Sequence, residues 1–201
     1  MKKTLVIGLV LLLSISMLAG CGSGGGSGDT GSGTQNSAKT GEAAKTEQAP
    51  AGAKGETHSA GNISALVPDG WKMFPFYSGG EESPNTFSVH KGALTALDQW
   101  STPGVQIQLF PDGSGFGSNT QKDMYEDVMD LAPLTLGDYT WEGFSGLSKN
   151  SAGEYVLPFA ILWTDAGNDT IQVTVWLEQE GNTITLLDAD VQAILTSIKP
   201  N

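Results

Sequence analysis

The chain has no arginine, one cysteine and two histidines among its 201 residues. With one cysteine, no intramolecular disulfide can form and no cysteine-based metal site can be built. Arginine is the side chain best suited to bidentate contact with phosphate, and the formal net charge of the chain is −12. Because a surface of that sign repels phosphodiesters, composition argues against nucleic acid and anionic sugars as partners.

Motifs for catalysis are equally scarce. His58 falls in a low-complexity stretch, and His90 ends a predicted strand beside Lys91, where we expect it to face solvent. Residues 143–146 (GFSG) lack the glycine spacing of a nucleophile elbow. Nucleophilic catalysis needs a nucleophile, a base and an orienting group together. The sequence therefore predicts a protein that is not an enzyme, with a hydrolase of the cell envelope as the last alternative.

The N-terminus has the order of a secretory signal. Lys2 and Lys3 precede an apolar run over residues 5–18, which is shorter than the roughly 20 residues that a membrane span requires. The run ends in Leu18-Ala19-Gly20-Cys21, which resembles the lipobox of bacterial lipoproteins at every position. This sequence pattern predicts a signal peptide over residues 1–20.

The lipobox resemblance implies that Cys21 carries a diacylglycerol group and becomes the first residue of the mature protein. More than one acyl chain is needed for stable anchoring, and a diacylated cysteine supplies two. The resemblance therefore implies that the membrane is a partner, through the lipid on Cys21. The expected location is the outer face of the bacterial cytoplasmic membrane.

Residues 22–62 contain no Leu, Ile, Val, Met, Phe, Tyr or Trp. Such a stretch cannot bury enough apolar surface to offset the entropy of ordering it. We expect residues 21–62 to form the lipidated cysteine and a disordered tether, with an end-to-end distance of about 35 Å. Residues 63–201 then form a single extracytoplasmic domain, which holds 18 acidic residues and five lysines.

Alternation of apolar and polar residues predicts strands in this domain. Val105, Ile107 and Leu109 share one face of a strand, and residues 171–177 alternate in the same way up to Trp176, which falls on the polar face. Turn residues 165–169 between two strong strands predict an antiparallel hairpin. The other predicted strands are residues 63–67, 71–74, 86–90, 139–147 and 155–164.

Two stretches change to the helical period of 3.6 residues. The first runs from a capping Asp188 to Lys199, and the second runs from Ser118 and Gln121, at capping-box spacing, to Pro133. Two helices packed on a mainly antiparallel sheet of about six to seven strands predict an α+β domain. The apolar stripes are Val191, Ile194, Leu195 and Ile198 in the first helix, and Met124, Val128 and Leu131 in the second.

Residues 67–71 (VPDGW) after the first strand and residues 194–199 (ILTSIK) in the final helix look like the two ends of PsbP-like domains. The resemblance implies an α/β/α sandwich, in which helices cover both faces of a central antiparallel sheet. It also implies a role as a non-catalytic assembly or interaction module. The superfamily has no common active site to carry over to this chain.

Oxygen-bearing side chains converge at the turn of the predicted hairpin. Asp165, Asn168 and Asp169 make Ca²⁺ the one cofactor hypothesis, because hard cations prefer oxygen ligands; turn chemistry alone explains the same residues, so the expectation is no cofactor. Trp176, Trp100 and Phe116 mark a contact surface, unless helices cover both faces of the sheet. The leading hypothesis is a non-catalytic interaction or accessory module whose partner is an envelope or extracellular protein. A lipoprotein that binds a small ligand or Ca²⁺ is the alternative.

Overall fold

The computed structural model describes residues 53–117 and 120–201. The predicted signal peptide, Cys21, most of the predicted tether and Ser118 lie outside the described residues. Within those residues, no helix is long and apolar enough to cross a membrane.

The described chain is 56 % strand and 12 % helical. Short 3₁₀ turns occur at Asp98–Trp100, Pro111–Gly113 and Lys122–Met124. In chain order, the strands and the α-helix are β1 (Gly55–Ala60), β2 (Ile63–Pro68), β3 (Trp71–Ser78), β4 (Glu81–Lys91), β5 (Gly104–Phe110), β6 (Glu126–Asp130), β7 (Leu134–Leu136), β8 (Tyr139–Lys149), β9 (Tyr155–Ala166), β10 (Asp169–Trp176), β11 (Glu178–Gln179), β12 (Asn182–Thr183), α1 (Ala189–Ser197) and β13 (Lys199–Pro200).

The main sheet has the order β3-β4-β5-β10-β9-β8-β6, and β7 pairs with another part of β8. Every pairing is antiparallel. All seven predicted strands are present, as β2 to β5 and β8 to β10. The predicted hairpin is also confirmed: Ala166 pairs with Asp169, and Gly167, at φ 75°, takes the first central position of the two-residue turn, which favours glycine.

The predicted α+β sandwich is wrong. The described residues form a mainly β fold with one α-helix, and that helix lies on one face of the main sheet. Helices therefore do not cover both faces, contrary to the fold that the PsbP-like resemblance implies.

The second predicted helix does not form over the described residues 120–131. That segment contains the 3₁₀ turn Lys122–Met124 and the edge strand β6, which pairs with β8. Pairing with β8 satisfies backbone groups that a helix would have bonded internally, and Val128 and Tyr125 still pack on the sheet. Asp127 has a φ of 51°, a conformation incompatible with a regular helix, and it lies where the register of β6 shifts.

The final helix is confirmed as α1, with its apolar stripe fully buried. Asp188 occupies the N-cap position but makes no capping hydrogen bond; its Oδ1 accepts from the Thr185 hydroxyl at 2.8 Å. Lys199 and Pro200 lie in β13, which pairs with β2, rather than ending the helix. The small sheet β1-β2-β13 and α1 cover one face of the main sheet and share its apolar core.

The folded region begins before Ile63, the residue at which the sequence predicts the domain boundary. Strand β1 lies inside the predicted tether and pairs with β2 from Gly55↔Pro68 to Ala60↔Ile63. Only Ala60 of this strand is buried. Its backbone pairing holds it in place, which explains why a search for apolar side chains missed it.

Candidate functional site

The outer face of the main sheet, which α1 does not cover, contains a groove of about 730 Å³. Alternation along the strands determines its floor. Val105 and Ile107 point into the core, so Gln106 between them points to the outer face. Ser88 on β4 is directly opposite Gln106, and His90 and Trp176 flank Gly104 in the next row. The floor therefore consists of Ser88, His90, Gln106 and Trp176.

Segments that follow the strands form the walls of the groove. Trp100, which is 74 % exposed, and Phe76, which is 40 % exposed, present aromatic rings at the rim. The lining residues beyond the floor are Phe76, Gln99, Trp100, Ser148, Lys149, Asn150, Ser151, Leu157, Gln179 and Glu180.

Hydrogen bonds brace the turn that carries Trp100. Asp98 Oδ2 accepts from the backbone N–H groups of Leu94 at 2.8 Å and Thr95 at 2.7 Å. These bonds, with that from Thr95 the larger cause, hold the pKa of the Asp98 carboxyl below its ordinary value. Lys72 Nζ donates to the Leu94 carbonyl at 2.6 Å and ties the turn to β3. Trp100 is therefore displayed on an anchored turn.

His90 is buried, with 3 % of its surface exposed, so the expectation that it faces solvent is wrong. Its ring stacks on Trp176 with centroids 5.9 Å apart and meets the edge of Phe74 at the same distance. His90 and Trp176 are on strands separated by β5, and the residue between them is Gly104. A Cβ on Gly104 would lie 2.5 Å from His90 Nδ1. Only a glycine lets the two rings meet across β5.

The His90 side chain is neutral and oriented. Nδ1 lies 3.1 Å from the Thr102 carbonyl oxygen, and since a carbonyl only accepts, we assign the proton to Nδ1 and the acceptor lone pair to Nε2. Loss of solvent lowers the pKa of His90 and outweighs the opposing effect of the bond to Thr102. The groove therefore has an uncharged imidazole in its floor at neutral pH.

Several polar side chains in the groove have no protein partner. Among the described residues, none bonds to the Ser88 hydroxyl or to the amides of Gln106 and Gln179. The Asn150 amide, in contrast, is used within its own turn, where Oδ1 accepts from Ala152 N and Glu154 N. The groove thus presents free hydroxyl and amide groups beside aromatic rings.

Charge is nearly absent from the groove. Lys149 and Glu180 are its charged lining residues and carry opposite signs, whereas the chain from Ile63 onward has 18 acidic residues against five lysines. The groove is therefore an electrically neutral surface on an acidic domain.

The other half of the same sheet face is closed. Phe144, Phe159 and Ile161 form a second apolar cluster under Tyr125 and Val128. The Tyr125 and Phe159 rings lie 4.5 Å apart. Burial raises the pKa of the Tyr125 hydroxyl. This cluster limits the groove to the part of the face formed by β4, β5 and β10.

A second, smaller cavity of about 350 Å³ lies near the start of β8. Burial, and then the charge of Asp138, raise the pKa of the Tyr139 hydroxyl there. The cavity is lined by Phe116, Asp138, Tyr139, Thr140, Glu142, Trp163, Thr164 and Asp165.

The predicted calcium ligands lie at the β9–β10 hairpin. Asp165 lines the second cavity, whereas Asp169 Oδ1 accepts from Asp112 N at 3.0 Å. In the described ranges, no group of three or more His, Cys, Asp or Glu side chains is placed to hold a metal ion. Turn formation accounts for these residues without a cation.

The aromatic residues singled out from the sequence separate in the structure. Trp176 and Trp100 line the groove, whereas Phe116 lines the second cavity. Sequence reasoning missed Ser88, Gln106 and Phe76. A signal for the first two exists, because Ser88 and His90, like Gln106 and Gln108, have the parity of the outer face of their strands.

No protein-family model matches the chain, and no curated protein matches it. Among solved structures, the chain is similar to a crystal structure from Bacteroides thetaiotaomicron VPI-5482 at 1.50 Å resolution, with a TM-score of 0.46 and 13 % sequence identity. The match covers 73 % of this chain and 48 % of that chain, so this chain spans about half the length of that protein. A similarity this low gives no basis for transferring a function.

Proposed function

We propose that the protein is a membrane-anchored, non-catalytic binding module that holds its ligand in the groove on the open face of the main sheet. The anchor is the lipid predicted on Cys21. The observation that supports binding is the combination of exposed rings and unpartnered polar groups in one concave site of about 730 Å³. Ligand sites are typically concave, largely preformed and equipped with a few placed polar groups.

The braced position of Trp100 favours binding over a purely structural role. A tryptophan that is 74 % exposed contributes little to the core, yet the hydrogen bonds to Asp98 fix the turn that presents it. Aromatic residues held in this way are enriched at contact sites. The concave shape favours the small-ligand alternative over a broad surface for a protein partner.

The titratable groups of the groove favour binding over hydrolysis. A glycosidase uses a pair of carboxylates on either side of the scissile bond, and Glu180 is the carboxylate among the lining residues. His90 directs Nδ1 at a backbone carbonyl, so no carboxylate orients it in the way that a catalytic triad requires.

Photocrosslinking tests the proposal with any ligand that the native membrane supplies. A benzophenone amino acid replaces Trp100 in the full chain in native envelope membranes, and in a matched variant it replaces Leu97, which is 79 % exposed and does not line the groove. We expect an adduct of small mass from position 100 and none from position 97. Equal labelling at the two positions, or none at position 100, would contradict a groove-held ligand.

A further inference from the structure

We infer that the ligand of the groove is an uncharged saccharide; this inference rests on the proposed function and specifies its ligand class. The juxtaposition that carries it is a neutral floor of hydroxyl and amide groups beside exposed aromatic rings, on a domain that is otherwise strongly acidic.

The aromatic rings suit the apolar face of a sugar. One face of a pyranose ring presents C–H groups, which carry slight positive charge, and the face of an aromatic ring is electron-rich. Trp100 and Phe76 present exposed rings at the rim of the groove. Trp176 is fixed in the floor by its stack on His90. Rings held in place in this way bind without losing much conformational freedom.

The polar groups suit the hydroxyls of a sugar. Each sugar hydroxyl both donates and accepts, and so do the side chains of Ser88, Gln106 and Gln179, which have no partner among the described residues. Nε2 of the neutral His90 adds an acceptor. An acyl chain in this groove would remove water from Ser88 and Gln106 without replacing their hydrogen bonds, which is unfavourable.

Charge and backbone pairing argue against the other ligand classes. Anions are repelled by the acidic domain, and a cation would meet one carboxylate, Glu180, offset by Lys149. The floor strands β4, β5 and β10 already pair with one another, so an extended peptide cannot join them as a further strand there.

Calorimetry on the full chain in lipid nanodiscs tests the inference. The probes are neutral tetrasaccharides of β-1,4-glucose, α-1,4-glucose, β-1,4-xylose and β-1,4-N-acetylglucosamine, with tetragalacturonate as the charged arm and a fluorescent fatty acid as the apolar arm. We expect at least one neutral tetrasaccharide to bind and tetragalacturonate not to bind. Because each tenfold change in Kd corresponds to 1.4 kcal/mol, we expect Trp100→Ala and Gln106→Leu each to weaken binding by about tenfold or more.

Matched variants separate the groove from general effects. Leu97→Ala changes an exposed side chain on the same turn, and Gln108→Leu changes a glutamine on the same strand and face; neither residue lines the groove. Both variants should bind the saccharide like the unmodified chain, and all four should keep its melting temperature within a few degrees.

Two results would overturn the inference. The first is no heat from any neutral tetrasaccharide up to about 10 mM, well above the concentration that a weak Kd of 1 mM requires. The second is binding of the fatty acid that Trp100→Ala abolishes, which would leave the groove as a ligand site and change the ligand class. An adduct from position 100 with no saccharide binding has the same meaning, whereas loss of both signals removes the proposed function as well.

Discussion

The two faces of the main sheet differ in what they do. The face under α1 is a continuous apolar layer in which Ile107, Val173 and Phe87 have no exposed surface. The opposite face is divided: an aromatic cluster closes the part on β8 and β9, and the part on β4, β5 and β10 is an open groove with polar and aromatic lining. One face therefore stabilises the domain, and half of the other remains available for contact.

Adjacent residues of β5 give the largest contrast between the faces. Ile107 has no exposed surface, so Ile107→Ala should lower the free energy of unfolding by about 2–5 kcal/mol through lost burial and a cavity. Gln106 makes no side-chain hydrogen bond to the described residues, so Gln106→Ala should cost less than about 1 kcal/mol. Urea unfolding of the full chain measures both, and similar costs at the two positions would remove the distinction between the faces.

The contact between His90 and Gly104 tests how the groove floor is built. The methyl group of Gly104→Ala would press on the His90 ring, and overpacking of this kind costs about 1–3 kcal/mol. The same substitution in a His90→Ala background should cost markedly less, because the ring that it meets is gone. A double-mutant cycle by urea unfolding measures this coupling. Additive costs would show that the two residues do not interact.

The pH dependence of stability tests the burial of His90. The folded pKa of His90 lies below its ordinary value of 6.5, so between these two pKa values the unfolded chain binds more protons than the folded chain. Stability must then rise with pH in this window and fall as the solution is acidified from about pH 6.5. Urea midpoints of the unmodified chain and of His90→Phe measure the effect, and the variant should show a flatter profile.

His58 provides the matched control for that experiment, because its side chain is 40 % exposed. His58→Asn should keep the acid-induced loss of stability. An unchanged profile in His90→Phe would contradict the assignment of a buried, neutral His90.

The smallest expected effect on stability is at the rim of the groove. Trp100 is 74 % exposed, so Trp100→Ala should change the free energy of unfolding by no more than about 0.5 kcal/mol. Urea unfolding beside the Ile107→Ala variant measures this. A cost of several kcal/mol would mean that Trp100 supports the core rather than a contact site.

Alternation is enough to predict the covered face. Val105, Ile107 and Leu109 have a strict period of two, and burial of one face requires that pattern wherever a strand lies on a core. The stripe of α1 is predictable for the same reason. Strands β1 and β6 are not, because β1 has little apolar surface and the stripe of residues 124–131 fits a helix until pairing with β8 is known.

The groove is only partly predictable. The polar parity of Gln106 and Trp176 is present in the sequence, and it places Trp176 correctly on the outer face. The juxtaposition of His90 with Trp176 depends on strands that are distant in sequence becoming neighbours of β5, with a glycine at position 104. The wall formed by Trp100 depends on the hydrogen bonds of Asp98. Such tertiary contacts cannot be derived from local patterns.

The most direct test of a ligand-binding open face uses the five tryptophans of the chain as reporters. Trp100 and Trp176 line the groove, Trp163 lines the second cavity, and Trp71 and Trp141 belong to the covered core. The indole N–H signals of the full chain in nanodiscs are followed by NMR during titration with the neutral tetrasaccharides. We predict that the signals of Trp100 and Trp176 shift in a saturable way while those of Trp71 and Trp141 stay in place. Unmoved groove signals, or shifts confined to Trp163, would contradict the account.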